Sequence, residues 1–552
     1  MKKRKLVSVI LAVAVVAGTM VGCGSKDESS NSATPKKELD KSPITLTFFT
    51  ADTTDDMPFT DDVAKEITKR TGVTLKITHP VGGDTQAIPL MIASGEYPDL
   101  IYAKGDTGKL IDAGALLKLN DYIDKQGDDL KKLYGDQLKR LKYSEKDPSI
   151  YTVGTYGVSS APWDTSGTLQ LQNGVLKELN YPQVKTLDDF EKALKDYKAK
   201  HPDKIGLSLM GSDWRWLITV GNTAGYVAGY PDDGQWIVDE STQTAKYKFT
   251  DPKLKDFFKW LNKLNDEKLL DPESFTQKYD QYIAKLSAGK VIGIADSTWD
   301  YGTATTSLVG AGKEDQTFAK LPVTLDANTK CPALKDYGFG GGWGIGVSAN
   351  SKNKDRAFQF LNWMASDEAQ VLINWGIQDK HYKMENGKRV VLPEVQKQKN
   401  TDKDFGKKTG VGQYVYPFPE RGDGAKDSTG NYYTTNSPET YTANYNKAEK
   451  ETLAAYKVKM WPDLFPTPKD LGGVSKHGQA YQYNIPSDSD LTVIQKKCDD
   501  YTQKAITQAI LGKPADFDKA WDEIQSTLKS YNVDKANEEM SALVKEKMKL
   551  WN

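Results

Sequence analysis

Residues 44–103 read ITLTFFTADTTDDMPFTDDVAKEITKRTGVTLKITHPVGGDTQAIPLMIASGEYPDLIYA. The stretch ITLTFFT (44–50) alternates around β-branched and aromatic side chains and runs into the polar turn TADTTDD, the pattern of a strand entering a loop. In DDVAKEITKRT (61–71), Val63, Ala64 and Ile67 share one face of a short helix. Gly72 ends that helix, and VTLKIT (73–78) reads as a second strand. DTQAIPLMIAS (84–94) looks helical, interrupted early by Pro89, and Gly95 closes it. YPDLIYA (97–103) is a buried strand with a proline at its start. Strand, helix, strand, helix, strand is the α/β signature of a parallel sheet with helices on its faces.

Upstream, the charged MKKRK, an apolar run from Leu6 to Val21 and a small residue, Gly22, make 1–22 an export signal. The run is shorter than the ~20 apolar residues of a mature spanning helix. Cys23 follows directly, then Gly24-Ser25. That order resembles a bacterial lipobox, in which the cysteine becomes the lipidated first residue, although Met20 stands where leucine is usual. The alternative is an ordinary signal with an incidental cysteine. The lipobox implies an extracellular protein anchored to the cell membrane by lipidated Cys23, with no cytosolic nucleotide available and no cofactor expected. After Cys23, the polar residues 24–43 form a tether with a root-mean-square reach of roughly 25 Å.

The chain has 552 residues, more than one core holds, so two or more domains are expected. Its 74 Lys and Arg balance 75 Asp and Glu, and no basic block interrupts the body, which speaks against nucleic acid. No second long apolar stretch follows the leader, so membrane attachment rests on the lipid alone. Cys331 and Cys498 are free to pair in an exported chain or to stay separate thiols, and their spacing decides nothing. His79, His201, His381 and His477 have no ligand spacing, so no metal site is read. Asp423, Asp427 and Asn431 in RGDGAKDSTGN hint at a calcium loop, but the spacing favours a solvated turn. No GxSxG, HExxH or P-loop pattern appears, and KGDTGK (104–109) lacks phosphate-binding spacing. The 12 tryptophans and 28 tyrosines supply flat apolar faces with polar edges, as a carbohydrate-handling surface needs.

Five blocks carry a resemblance: MIASGEYPDLIYA (91–103), the loop KGDTGKLIDAGALLKLNDYI (104–123), GKVIGIADSTWDYG (289–302), GGWGIGVSANSKNKDRAFQFLNWMASDEAQVLINWGI (341–377) and DKHYKMENGKRV (379–390). In this order they resemble the extracellular solute-binding proteins of ABC transporters, and within them the large lipoprotein subclass of sugar-binding family 1. The resemblance implies a two-lobe periplasmic-binding-protein-like α/β fold, type II-like, with a hinge and an interlobe ligand cleft. By analogy the N-terminal lobe holds 44–158 and 325–378, and the C-terminal lobe 159–324 and 379–552. It implies a monomer that captures an oligosaccharide and delivers it unchanged to ABC permease subunits. Xylo-oligosaccharides or other plant cell-wall fragments are the sugar expected. The block 341–377, resembling the strand and long helix that return to the first lobe, also reads physically: its helix has Ala357, Phe358, Phe360, Leu361, Met364, Ala365, Val371 and Leu372 on a broad apolar face. Trp363, Trp375, Trp260 and Trp521 are read as core.

A sugar binder needs aromatic platforms for ring faces and planar polar groups for hydroxyl edges. In α/β sheets the ligand lies outside the carboxyl ends of strands. Trp163 and Asp164 follow the strand YTVGTYGV. Trp214, Arg215 and Trp216 lie where IGLSLM runs out, and Trp299, Asp300 and Tyr301 follow VIGIA. Trp343 follows four glycines in YGFGGGWGIG. Thr50, Asp52, Asp55 and Asp106 are candidate hydroxyl readers of the first lobe. Two other classes stay open: a surface-anchored glycoside hydrolase or lyase, since a carboxylate pair cannot be excluded by counting, and a peptide binder gripping side chains with the same aromatics.

Overall fold

The computed structural model describes residues 39–552 apart from 53–57, 81–85 and 166. The export signal, Cys23, most of the tether and the candidate Asp55 lie outside the described residues.

The chain begins with β1 (Ile44–Thr50), β2 (Val73–Thr78), β3 (Leu100–Tyr102) and β4 (Thr152–Val153), then passes through β5 (Gly157–Ser160). Next come β6 (Leu169–Gln172), β7 (Ile205–Ser208), the hairpin strands β8 (Trp236–Asp239) and β9 (Thr244–Tyr247), β10 (Val291–Ala295) and β11 (Phe318–Lys320). It returns through β12 (Ile345–Val347) and ends its strands with β13 (Tyr382–Glu385), β14 (Lys388–Val391) and β15 (Glu420–Asp423). Two larger sheets result, ordered β2-β1-β3-β12-β4 and β11-β6-β10-β7, with three two-stranded pairs, β13-β14, β15-β5 and β8-β9.

The first sheet starts as a βαβ unit. β1 pairs in parallel with β2 and β3. The helix Asp62–Thr71 between β1 and β2 is N-capped by Asp61, whose carboxylate accepts from Ala64 N–H at 2.8 Å. It buries Val63, Ala64 and Ile67 and stops at Gly72, which takes φ +73°. A Cβ there would stand 2.3 Å from the Lys41 carbonyl oxygen, so both conformation and space require glycine. β12 runs antiparallel to β3 and β4, with Ile345 opposite Tyr102 and Val153. The start of β12 therefore meets the carboxyl ends of β1, β3 and β4 at one edge. In the second sheet β7 and β10 are parallel and β6 is antiparallel to β10 and β11. Its corresponding edge gathers Ser208, Ala295, Lys320 and the entry to β6.

Each sheet carries its own core. Leu46, Phe48, Ile67, Val153, Ile345, Phe358 and Leu361 are buried together around the first. Leu171, Phe190, Leu207, Phe257, Trp260 and Ile292 are buried together around the second. The helices Asp490–Leu511, Phe517–Ser530 and Val533–Trp551 add Ile506, Trp521, Met540 and Trp551 to this second core. Asn537 and Ser541 of the last helix accept from Tyr247 N–H (2.7 Å) and Ala245 N–H (2.8 Å), covering the open edge of β9. Tyr414 and Phe418 belong instead to the first core. Trp363 lies in the first core as well, and Trp375 is buried edge-on to Tyr382.

The helix expected through 354–372 is two helices, Lys354–Met364 and Asp367–Trp375. Ser366 breaks it because its hydroxyl accepts from Ala369 N–H at 3.2 Å and caps the second segment. Cys331 and Cys498 are buried, unpaired and in separate clusters. Among the described residues no helix is long and apolar enough to cross a membrane, and no cluster of three or more His, Cys, Asp or Glu could hold a metal. The calcium-like loop is an Asx turn: the Asp427 carboxylate accepts from Thr429 and Asn431 N–H groups and pairs with Arg389.

Candidate functional site

Two exposed tryptophans stand at the carboxyl edge of the second sheet. Trp214 lies beyond β7 and is 52% exposed; Trp299 lies in the first turn of the helix Thr298–Gly310 and is 63% exposed. Their rings are 3° from parallel with centroids 6.1 Å apart. Arg215 braces them. Its Nε donates to both Asp300 oxygens at 2.9 and 3.0 Å, and its Nη1 to Asp213 at 3.0 Å. The guanidinium lies 4.5 Å from the Trp214 ring centroid and 3.8 Å from that of Tyr279, a cation–π sandwich. Tyr279 closes the unit by donating to the Asp300 carbonyl at 2.6 Å.

Burial raises the Asp300 carboxyl above the usual carboxylate range, even with Arg215 beside it. Burial, and then the nearby Asp300, raise Asp296 well above that range. Asp296 is fully buried and accepts from Ser297 N–H at 2.7 Å and the Tyr282 hydroxyl at 2.9 Å.

Trp163, half-buried, sits edge-on to Tyr432 with centroids 5.1 Å apart. At the edge of the first sheet, Trp343 sits edge-on to Tyr481 at 5.4 Å, and its indole N–H meets no protein acceptor. Beside it the Tyr102 and Tyr416 hydroxyls bond, and Tyr156 packs on Tyr416 at 5.9 Å.

A cavity of about 490 Å³ opens against Tyr156, within the ~300–1,000 Å³ of ordinary ligand sites. Two of the chain's passages between the larger sheets line it, 156–160 and 335–340, together with β15, Lys399, 434–436, Gln479 and Gln482. Its wall ends at Ser160, three residues before Trp163, and at Thr434, two residues after Tyr432. The Trp214–Trp299 pair is not part of its lining.

A family model described as bacterial extracellular solute-binding protein matches residues 62–375. The chain belongs to that family. Solute-binding proteins are carriers, not enzymes. The chain is 24% identical over 432 residues to lipoprotein LipO of Bacillus subtilis, covering 74% of this chain and 79% of LipO. It is also 24% identical over 405 residues to the fructooligosaccharide ABC transporter substrate-binding protein FusA of Streptococcus pneumoniae, covering 67% and 70%. Among solved structures it superposes on FusA in complex with kestose with a TM-score of 0.66, at 19% identity, covering 92% of this chain and 99% of that one. The alginate-binding protein AlgQ2 gives the same TM-score at 18% identity, covering 92% and 99%. These are two-lobe solute-binding folds, and the chain shares that fold.

Within this solute-binding protein, the residues singled out from sequence divide by exposure. Trp163, Trp214, Trp299 and Trp343 present ring surface. Trp216 does not: it is 3% exposed, packs on Phe249, and its Nε1 donates to Thr507 at 3.1 Å. Successive helical residues point ~100° apart, so two steps turn a side chain from solvent to core. The same geometry corrects Asp300 and Tyr301, which follow Trp299 on one helical turn. Asp300 is buried and committed to Arg215, and Tyr301 is buried and donates to Gln170 at 2.6 Å. Asp164 is tied up by Lys320, and Asp52 by Lys104, with the buried Thr50 hydroxyl 3.3 Å from Asp52. Asp106 pairs with Lys109 at 2.8 Å. Sequence reasoning missed Tyr156, Tyr416, Tyr481 and the whole cavity wall from β15 to Asn436. Tyr416 is exposed beside Pro417 in YVYPFPE, an aromatic–proline run that was the one local signal available.

Proposed function

We propose that this protein captures an oligosaccharide between two lobes and hands it, unchanged, to the permease subunits of an ABC importer. The lobes divide as 44–158 with 325–378 and 159–324 with 379–552, except that the segment around Tyr414 and Phe418 packs in the first core; chain passages that join them line the cavity. The protein acts as a monomer outside the cell, held to the membrane by lipidated Cys23. Closure of the lobes around the sugar is the signal the permease reads.

The observation that carries this reading is the exposed parallel pair Trp214–Trp299, held by Arg215. Nothing in the core needs two indoles in water. A sugar ring's C–H face does, and such a platform contributes about 1–2 kcal/mol per ring. Trp163 and Trp343 offer further ring faces, so the ligand has several sugar units. The carbohydrate names of FusA and AlgQ2 agree with a saccharide, and xylo-oligosaccharides or other plant cell-wall fragments are the class we propose.

Thermal-shift screening of the purified protein against neutral, acidic and amino oligosaccharides, with product analysis of each mixture, tests the reading. Stabilisation with the sugar recovered intact is the expected result. Shorter products would replace it with a glycoside hydrolase or lyase, and stabilisation by peptides alone with a peptide carrier.

A further inference from the structure

The cavity at the crossings holds more hydrogen-bond acceptors than its own walls satisfy. Glu420, at the start of β15, lines it, and its half-buried carboxyl makes no hydrogen bond or ion pair to protein. The carboxylate of Asp423, on the same strand, accepts only from Asn436 Nδ2, at 3.0 and 3.1 Å. Gln482 is 1% exposed and Thr434 4% exposed; both line the cavity, and Gln482 Oε1 and Thr434 Oγ1 find no partner. Buried polar atoms of this kind are nearly always paired in native proteins, so orphaned ones facing a cavity call for donors from outside the chain.

The two lysines of the lining already donate to protein. Lys335 Nζ donates to the Leu471 and Gly473 carbonyls at 3.1 and 2.9 Å, and Lys399 Nζ to Thr435 Oγ1 at 3.1 Å. The Glu420 and Asp423 carboxylates and Gln482 Oε1 leave a surplus of acceptors, and a ring rich in hydroxyls supplies the donors, while one of its oxygens can accept from the Thr434 hydroxyl; a ring bearing a carboxylate adds charge of the wrong sign next to Glu420 and Asp423.

We propose that this cavity seats one neutral, hydroxyl-bearing ring of the captured saccharide, with Glu420 as the carboxylate that accepts from it and sets its affinity. The assignment rests on the saccharide-carrier reading above and narrows it to neutral rather than uronic-acid ligands at this position. The charged and polar groups that share the cavity lining with Glu420 are Asp423 on its own strand, Tyr156 and Ser159 from the first passage, Lys335 and Tyr337 from the second, and Lys399; of these, only the Asp423 charge acts measurably on Glu420. Burial, and then the Asp423 charge, push the Glu420 carboxyl up to about 7. A hydroxyl donating to the ionised form binds better as pH rises, so affinity falls about tenfold between pH 8 and pH 6, following the ionised fraction.

The test is calorimetric titration of the full mature chain with three probes, kestose, xylotetraose and trigalacturonate, at pH 6, 7 and 8. The expected result is binding of at least one neutral probe with that pH dependence. Glu420→Gln should weaken it tenfold or more at pH 8 and flatten the profile, while Glu420→Asp keeps the slope. Trp299→Ala should weaken binding but leave the slope intact. Neutral-probe binding that is unchanged in Glu420→Gln, or tighter binding of trigalacturonate than of both neutral probes, overturns the assignment and leaves the carrier reading standing. Binding of none of the three overturns it too, and the thermal-shift panel then decides the carrier reading separately. Thermal melting of each variant alone separates loss of binding from loss of fold.

Discussion

At the scale of single residues, exposure separates function from architecture. Trp299 is large, apolar and mostly in water, so its removal changes the folded core little. Trp299→Ala is expected to weaken saccharide affinity tenfold or more, about 1.4 kcal/mol per decade, with the melting temperature nearly unchanged; calorimetry and thermal denaturation of the same preparation check both. His477 is the opposite case, a buried charge that serves stability. It lies 3.0 Å from Asp233 and 2.6 Å from Glu240. Burial alone would lower its pKa, but the two carboxylates outweigh burial and raise it to about 9. A raised histidine stabilises the fold fully below its ordinary value near 6.5 and ceases to do so as pH climbs through 9. The melting temperature should therefore drop between pH 7 and 10 more steeply in the native protein than in His477→Gln, measured by scanning calorimetry across that range.

At the scale of elements, one helical start separates two tryptophans into different roles. Trp214 and Trp216 flank Arg215 in sequence, yet one faces solvent and the other packs on Phe249. Trp216→Ala removes a buried indole and its bond to Thr507, and should cost about 3–5 kcal/mol of stability. Trp214→Ala should leave denaturant unfolding close to native and weaken saccharide binding instead. Equal loss of stability in both variants would show that the pair at this edge is structural. Strand placement was legible because it depends on alternation and punctuation: β1, β2, β7 and β10 lie inside stretches recognised as strands from their residues alone. The split at Ser366 was not anticipated, because a serine inside an apolar pattern reads equally as a solvated helical position or a cap, and only its bond to Ala369 distinguishes them.

At the scale of the whole molecule, two sheets with separate cores are joined by crossings that also line the cavity, so ligand binding and lobe movement are coupled by position. Small-angle scattering should record a smaller radius of gyration on addition of a saccharide that stabilises the protein, and no change with one that does not; an unchanged radius with a tightly bound sugar would remove closure from the mechanism. The sequence by itself determined the α/β alternation, the division into more than one core and the family, since these follow from the period of apolar residues and from motifs carried by contiguous stretches. It also identified the strand ends where a ligand could bind, because a tryptophan just past a strand is visible without coordinates. Only the tertiary structure decided which tryptophans reach water, that Arg215 grips Asp300 across 85 positions, and that Glu420, Gln482 and Tyr156 meet around one cavity. Burial and charge pairing depend on the approach of segments distant along the chain, and no local pattern encodes that approach.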